Sequence, residues 1–297
     1  VGKMLFSTDI MDESDDVEAA LEVVLEHTYH RVETIIDIPE TIPTARNRRF
    51  KQARHTLQRI VHKIITRRMQ DPNPPDDLLS DLLQARDDET GIGMTTQQLQ
   101  DEVITLLLAG HETTANALTW IFYCISQNAE IEEQLRGELT RLGDAPPTLS
   151  TMASLEYCRM VIDESMRLYP PIWIIERNVR EHDELGGYSI PKSSSVILCP
   201  YVIHRHPDFW DNPESFDPER FRPGKPARHP EYAYIPFGTG PRKCVGNHFA
   251  LQEALIIVAM AMQRFRLTLE PGHKVEPQPG ITLRARHGLM MTAEKIG

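Results

Sequence analysis

The sequence predicts a mainly α-helical fold with small β-sheets, and three observations carry that prediction. Through the first 168 residues, apolar side chains recur at three- and four-residue spacing, as in helices that bury one face. From Pro170 the pattern changes to short runs broken by glycine and proline, which suits strands and turns. The 297 residues are 40% hydrophobic and 25% charged, the composition of an ordinary globular chain with room for a sizeable core.

Taken in order, the chain opens on Val1-Gly2-Lys3-Met4-Leu5-Phe6, which reads as a helix already under way. No signal-peptide pattern follows. After the acidic stretch Asp12–Asp16, the residues Val17, Leu21, Val24, Thr28, Val32 and Ile35 define an amphipathic helix. Ile38–Thr44, with two prolines, is a connection. Phe50, Ala53, Leu57, Ile60, Val61 and Ile64 define the next helix, whose outer face carries Arg46, Arg48, Arg49, Lys51, Arg54 and Arg59. A solvated face is the simplest account of that charge run, and a docking surface is the other. Asp71-Pro72-Asn73-Pro74-Pro75 breaks the chain before a short helix at Asp76–Ala85. Thr95 and Gln98 form a capping box that opens the longest helix, at about 95–126. Helices near Glu130–Leu142 and Ser154–Leu168 follow.

Ile172–Val179, Tyr188–Ile190 and Ser195–Leu198 read as strands. Asp208–Pro226 is an aperiodic meander that must be ordered, because Phe209, Trp210, Phe216 and Phe221 need burial. Phe249–Phe265 is an apolar helix, and Leu267–Leu269, Ile281–Arg284 and Leu289–Thr292 are terminal strands.

The net charge of -11 argues against nucleic acid as a partner, since phosphate backbones select basic surfaces. The longest apolar run, Ala254–Met262, is far short of the roughly 20 residues of a spanning helix, so the chain reads as soluble, with no membrane segment, and cytoplasmic. The four cysteines are widely spaced and contain no CxxC pair, which disfavours zinc-ribbon and redox sites. Cys124, Cys158 and Cys199 lie in apolar or strand-like runs and read as core thiols.

Cys244 differs. It lies in the stretch Pro236-Phe237-Gly238-Thr239-Gly240-Pro241-Arg242-Lys243-Cys244-Val245-Gly246, which runs into a helix. Glycines permit a tight turn, the helix dipole and Arg242 favour a thiolate, and Phe237 is placed to keep water from the sulfur. A thiolate without companion cysteines suits haem iron better than zinc or an iron–sulfur cluster. The stretch resembles the haem-binding signature of cytochromes P450, Phe-x-x-Gly-x-Arg-x-Cys-x-Gly, with Phe237, Gly240, Arg242, Cys244 and Gly246 at its fixed positions.

A second stretch, Ala109-Gly110-His111-Glu112-Thr113-Thr114, lies in the middle of the longest helix, where glycine costs about 1 kcal/mol against alanine. By itself it would read as a helix with an incidental polar face. It resembles the family's oxygen-activation groove. There the resemblance implies that Gly110 lets a flat ligand approach, while Thr113, Thr114 and Glu112 manage the protons that O–O cleavage consumes. His111 is expected to face away. Thr113 can also bond a carbonyl of the preceding turn and loosen the helix.

Glu164 and Arg167 match the family's Glu-x-x-Arg motif, and Arg220 its meander arginine, which implies a buried structural network. The resemblance further implies haem b ligated by Cys244 within a loop that includes Gly238. The cations Arg242, Arg177 and His204 would face the haem propionates, and Ala109 would lie on its flat face. Leu106, Ala109, Ile172, Trp173 and Ile174 would line the substrate pocket.

The expected molecule is thus a single domain with the cytochrome P450 fold, lacking the family's N-terminal helices. It has a helical part at 1–168 and a part at 169–297 holding the sheets, meander, cysteine loop and final helix. The implied activity is that of a soluble, bacterial-type haem-thiolate monooxygenase. It would insert one oxygen atom of O2 into an apolar substrate such as a fatty acid or terpene. Peroxygenase, isomerase and non-catalytic haem-binding readings stand as alternatives. The chain has no flavin or nicotinamide motif, so electrons would come from an external ferredoxin, or from a flavodoxin or reductase. Residues 220–243 carry six cations (Arg220, Arg222, Lys225, Arg228, Arg242 and Lys243) against the single acid Glu231, and this patch is the expected docking surface.

Overall fold

A computed structural model describes residues 2–7, 14–34, 38–143, 145–224 and 229–296, with no side-chain description for Met4, Ser14, Val32 and Glu33. The chain packs as two compact units, Val1–Glu112 and Thr113–Gly297, so the packing divides earlier than the expected change of character at 168.

The first unit is helical: α1 (Gly2–Phe6), α2 (Ser14–Glu33), α3 (Ala45–Gln70), α4 (Leu78–Gln84) and the first half of α5 (Thr96–Ser126). α3 starts where Thr44 accepts the Asn47 N–H at 3.1 Å. The buried Asn47 amide donates to the carbonyls of Pro39 and Ile42, fixing the connection as an ordered turn. α3 buries Leu57, Ile60, Val61, Ile64 and Ile65 against Val17, Ala20 and Leu21 of α2 and Leu99, Val103 and Leu107 of α5. Each such side chain contributes about 2 kcal/mol. Buried Arg68 donates to Asp77, to Ser80 and to the Phe6 carbonyl, and Asp77 also caps α4. Burial opposes ionisation of Asp77, but hydrogen bonds from Arg68, the Ser80 N–H and Ser7, with the Arg68 charge, together outweigh it and hold its carboxyl down at about 2. The predicted capping box of α5 is present in both directions: Thr95 N–H to Gln98 at 2.9 Å and Gln98 N–H to Thr95 at 3.2 Å.

The second unit contains the rest of α5, α6 (Ala129–Leu139), α7 (Leu149–Met152), α8 (Glu156–Leu168), α9 (Pro200–Ile203) and α10 (Asn247–Arg264). α8 is buried over nearly its whole surface, packing Met160, Val161 and Ile162 with Leu135 and Leu139 of α6 and Val258, Ala259 and Met262 of α10. Its N-terminus lacks a local cap. Glu138 replaces one, accepting the N–H groups of Tyr157 and Cys158 at 2.8 and 2.9 Å. Arg136 donates to the carbonyls of Met262 and Phe265 at the C-terminal end of α10.

The described strands form four two-stranded antiparallel sheets: β1 (Ile175–Asn178) with β4 (Ser195–Leu198), β2 (Asp183–Leu185) with β3 (Tyr188–Ile190), β5 (Phe265–Leu269) with β8 (Met291–Lys295), and β6 (Pro277–Pro279) with β7 (Leu283–Ala285). β1 is shorter than the expected 172–179. Pro170 and Pro171 precede it, and the Trp173 carbonyl accepts the Tyr201 N–H outside any ladder. β2 and β6 escaped prediction because one is acidic and the other carries proline at both ends, so neither shows apolar alternation. In the meander Trp210 is buried and stacks on His229 at 4.3 Å, while Phe216 and Phe221 pack on the core. Lys225 and Arg228 lie outside the described residues.

Candidate functional site

The cysteine loop is built from backbone constraints. Gly238 and Gly240 both have φ of +68°, a region that L side chains rarely adopt. The loop closes where the Cys244 N–H donates to the Phe237 carbonyl at 2.9 Å. α10 begins three residues after Cys244 with Gly246 as its N-cap, so the positive end of a five-turn helix lies beside the thiol. Cys244 is exposed, whereas the other cysteines are buried or half-buried. Burial pushes the Cys124 thiol up to about 12 and raises that of Cys158 as well, so both remain inert. Phe237 packs on the core of this unit, anchoring the loop instead of lying out in solvent.

The same unit brings two cations into relation with this loop. A Cβ added at Gly238 would lie 3.7 Å from Ile175 Cδ1, so the loop sits against the start of β1. Arg177, two residues along that strand, shares the Ile175 face. Arg177 and Arg242 are both exposed, and neither has an ion-pair partner among the described residues.

His204 is a correction. It was expected to be a cation for an acidic ligand group, but it is fully buried and its Nε2 accepts the Ile235 N–H at 2.9 Å. Burial and the neighbouring Arg167 and Arg205 push its pKa down to about 3, so the ring is neutral. Its carbonyl accepts from Arg167, which makes His204 part of the scaffold.

That scaffold is centred on Glu164 and Arg167, both with no exposed side-chain surface, paired at 2.7 Å. Arg167 also donates to the carbonyls of His204, Pro213 and Ser215. Glu164 accepts from Arg220 at 3.3 Å and from the Asp217 N–H at 2.8 Å. These bonds tie α8 to the meander. The expected basic patch shrinks accordingly: Arg220 is spent on Glu164, and Arg222 pairs with Glu219, an acid just outside the counted window. Arg242 and Lys243 remain exposed.

α5 runs unbroken through Ala109–Thr114, so the expected loosening does not interrupt the helix. Elsewhere in α5, Thr105 and Thr119 bond carbonyls four residues back without breaking it. Gly110, Glu112 and Thr113 are half-buried, Thr114 is buried, and Ala109 and His111 are exposed. Of the expected pocket residues, Leu106 and Ala109 belong to the first unit and Ile172, Trp173 and Ile174 to the second.

Trp173 is also engaged in a lattice that sequence reasoning missed. Its indole N–H donates to the Gly280 carbonyl at 2.8 Å, and the Leu283 N–H donates to the Pro171 carbonyl at 2.8 Å. From α5, Asn116 donates to Thr282 and Trp120 to the Leu283 carbonyl, both at 2.9 Å. The 280–283 turn is thereby fixed to both segments. Pro279-Gly280 signals a turn in the sequence, but nothing local reveals its partners.

Among the described residues no three His, Cys, Asp or Glu side chains cluster to hold a metal ion. A single exposed cysteine suits a metal that brings its other ligands with it, and the exposed Arg177 and Arg242 suit carboxylates on such a group. The residues fit haem.

Comparisons with known proteins identify the family. The "Cytochrome P450" family profile matches residues 1–295. Cyclooctatin synthase of Streptomyces melanosporofaciens is 37% identical over 95% of this chain and 62% of its own length. Cyclooctat-9-en-7-ol 5-monooxygenase of the same organism is 37% identical over 91% and 59%. Pentalenene oxygenase of Streptomyces avermitilis is 35% identical over 93% and 62%. The chain spans about three-fifths of the length of these relatives. A match over nearly every residue, together with the glycine-constrained loop that presents Cys244, establishes that the chain belongs to the cytochrome P450 family.

Proposed function

We propose that the protein is a haem-thiolate monooxygenase that places one oxygen atom of O2 on an apolar substrate, using electrons from an external redox partner. The observation that carries this reading is the exposed Cys244 in a closed, glycine-constrained loop at the start of α10. Haem bound there would supply oxygen activation and electron acceptance. Cys244 would hold the iron, with the α10 dipole favouring its thiolate form. Arg242 and Arg177 would hold the propionates. Thr113 and Glu112, adjacent on α5, would hold and pass the protons that reduction of O2 consumes, and Thr114 and Gly110 would shape that stretch of the helix. The Glu164–Arg167–Arg220 network would do no chemistry and would keep the meander tied to α8.

The relatives' names point to terpenoid substrates, and the half-buried Ile172 and Ile174 are compatible with a hydrocarbon skeleton. The redox partner would be an acidic ferredoxin or flavodoxin that meets the exposed Lys243. The test is turnover of the haem-loaded chain with a cyclic terpene under 18O2. One labelled oxygen should enter the product, and Thr113→Ala should divert reducing equivalents to hydrogen peroxide. Product labelled from water, or the same product formed without O2, would overturn the reading.

A further inference from the structure

α3 has a charge pattern that the proposed chemistry does not use. Its 26 residues contain nine arginines and lysines and no acid, in a protein whose net charge is -11. At 100° per residue, Leu57, Val61, Ile64 and Arg68 form the buried face, and Arg48, Lys51, Arg59 and Lys63 fall on the opposite side. All four are exposed, as is Arg67 on the flank. Arg49 and Arg54 are partnered by Glu26 and Glu40, which places the nearby acids on the flanks of α3. Arg48, Lys51, Arg59 and Arg67 have no ion pair among the described residues.

The stripe also has apolar ends. Ile38 and Ile42, in the turn that Asn47 holds against the start of α3, are 40% and 49% exposed, and Met69 at its far end is 67% exposed. A phosphate backbone would reward the cations alone, whereas these apolar groups lie at the two ends of a long cationic helix and do not form the central apolar patch of a protein interface. A lipid interface rewards cations at the headgroups and apolar side chains just below them. No described helix is long and apolar enough to cross a membrane, so attachment through this face would be peripheral.

We propose that the exposed face of α3 docks the protein on an anionic lipid surface. The contact is independent of haem and of turnover. Its strength falls as salt rises, because the cations are exposed.

The test is co-sedimentation of the full chain with vesicles of phosphatidylcholine alone or with added phosphatidylglycerol, at low and high salt. The expected result is binding only to the phosphatidylglycerol vesicles, lost at high salt. The triple variant Arg48→Glu, Lys51→Glu, Arg59→Glu should need at least about tenfold more lipid for half-binding. A control with the same net charge, Arg180→Glu, Lys192→Glu, Lys295→Glu, alters exposed cations elsewhere and should bind like the parent. Unchanged circular dichroism and thermal midpoint show that both variants are folded. Absence of binding to anionic vesicles, equal loss in both variants, or preference for poly-glutamate or DNA over vesicles would each overturn the proposal.

Discussion

Replacing His204 by glutamine should flatten the acid dependence of stability in the second unit. His204 is buried, its Nε2 accepts the Ile235 N–H, and its pKa falls from 6.5 to about 3. Between those two values the unfolded chain holds a proton on this ring and the folded chain does not. Stability contributed by the neutral ring is therefore complete above pH 6.5 and is lost as pH falls toward 3. The slope is about 1.4 kcal/mol per pH unit, which amounts to about 2 kcal/mol at pH 5. Glutamine keeps an acceptor for Ile235 and does not titrate. The raised carboxyls of Asp163 and Glu164, both lifted by burial, act with the opposite sign, and they are present in parent and variant alike. Trp120, Trp173 and Trp210 all lie in the second unit and report its unfolding by fluorescence. Denaturant titrations at pH 7.5, 6 and 5 should show the parent losing about 2 kcal/mol more than the variant over this range. Parallel pH curves would refute the assignment of a buried, neutral His204.

Three further outcomes follow from the same geometry. Arg167→Leu removes the donor to Glu164 and to three carbonyls, and should cost about 3–5 kcal/mol in denaturant unfolding; a loss below about 1 kcal/mol would show that the network is not buried as described. Glu138→Ala uncaps α8 and should lower stability by about 1 kcal/mol, with faster amide exchange at Tyr157 and Cys158; unchanged exchange there would contradict the cap. Trp173→Phe keeps bulk but loses the bond to Gly280, so amide exchange in the 280–283 turn should accelerate while that of α10 stays constant; equal protection in both proteins would mean that Trp173 does not fix the turn.

The legible parts of the molecule are those encoded locally. Helix periodicity, the Thr95–Gln98 box and the Cys244 loop are each written within a dozen residues, and their elements appear where expected. What escaped is non-local. Glu138 capping a helix 18 residues on, Arg136 holding the end of α10 and Trp173 reaching Gly280 depend on tertiary approach that no window displays. His204 misled because the sequence supplies residue type but not burial, and burial decides whether a histidine is a cation. The basic patch misled for a related reason, since Glu164 and Glu219 neutralise two of its members from outside the counted stretch.

The central proposal is that Cys244 would hold haem iron as its thiolate. The direct measurement is the reduced, carbon monoxide difference spectrum of the haem-loaded chain. The account predicts a strongly red-shifted Soret band in the parent and its loss in Cys244→Ala. Absence of that band in the parent, or its survival in the variant, would contradict the account.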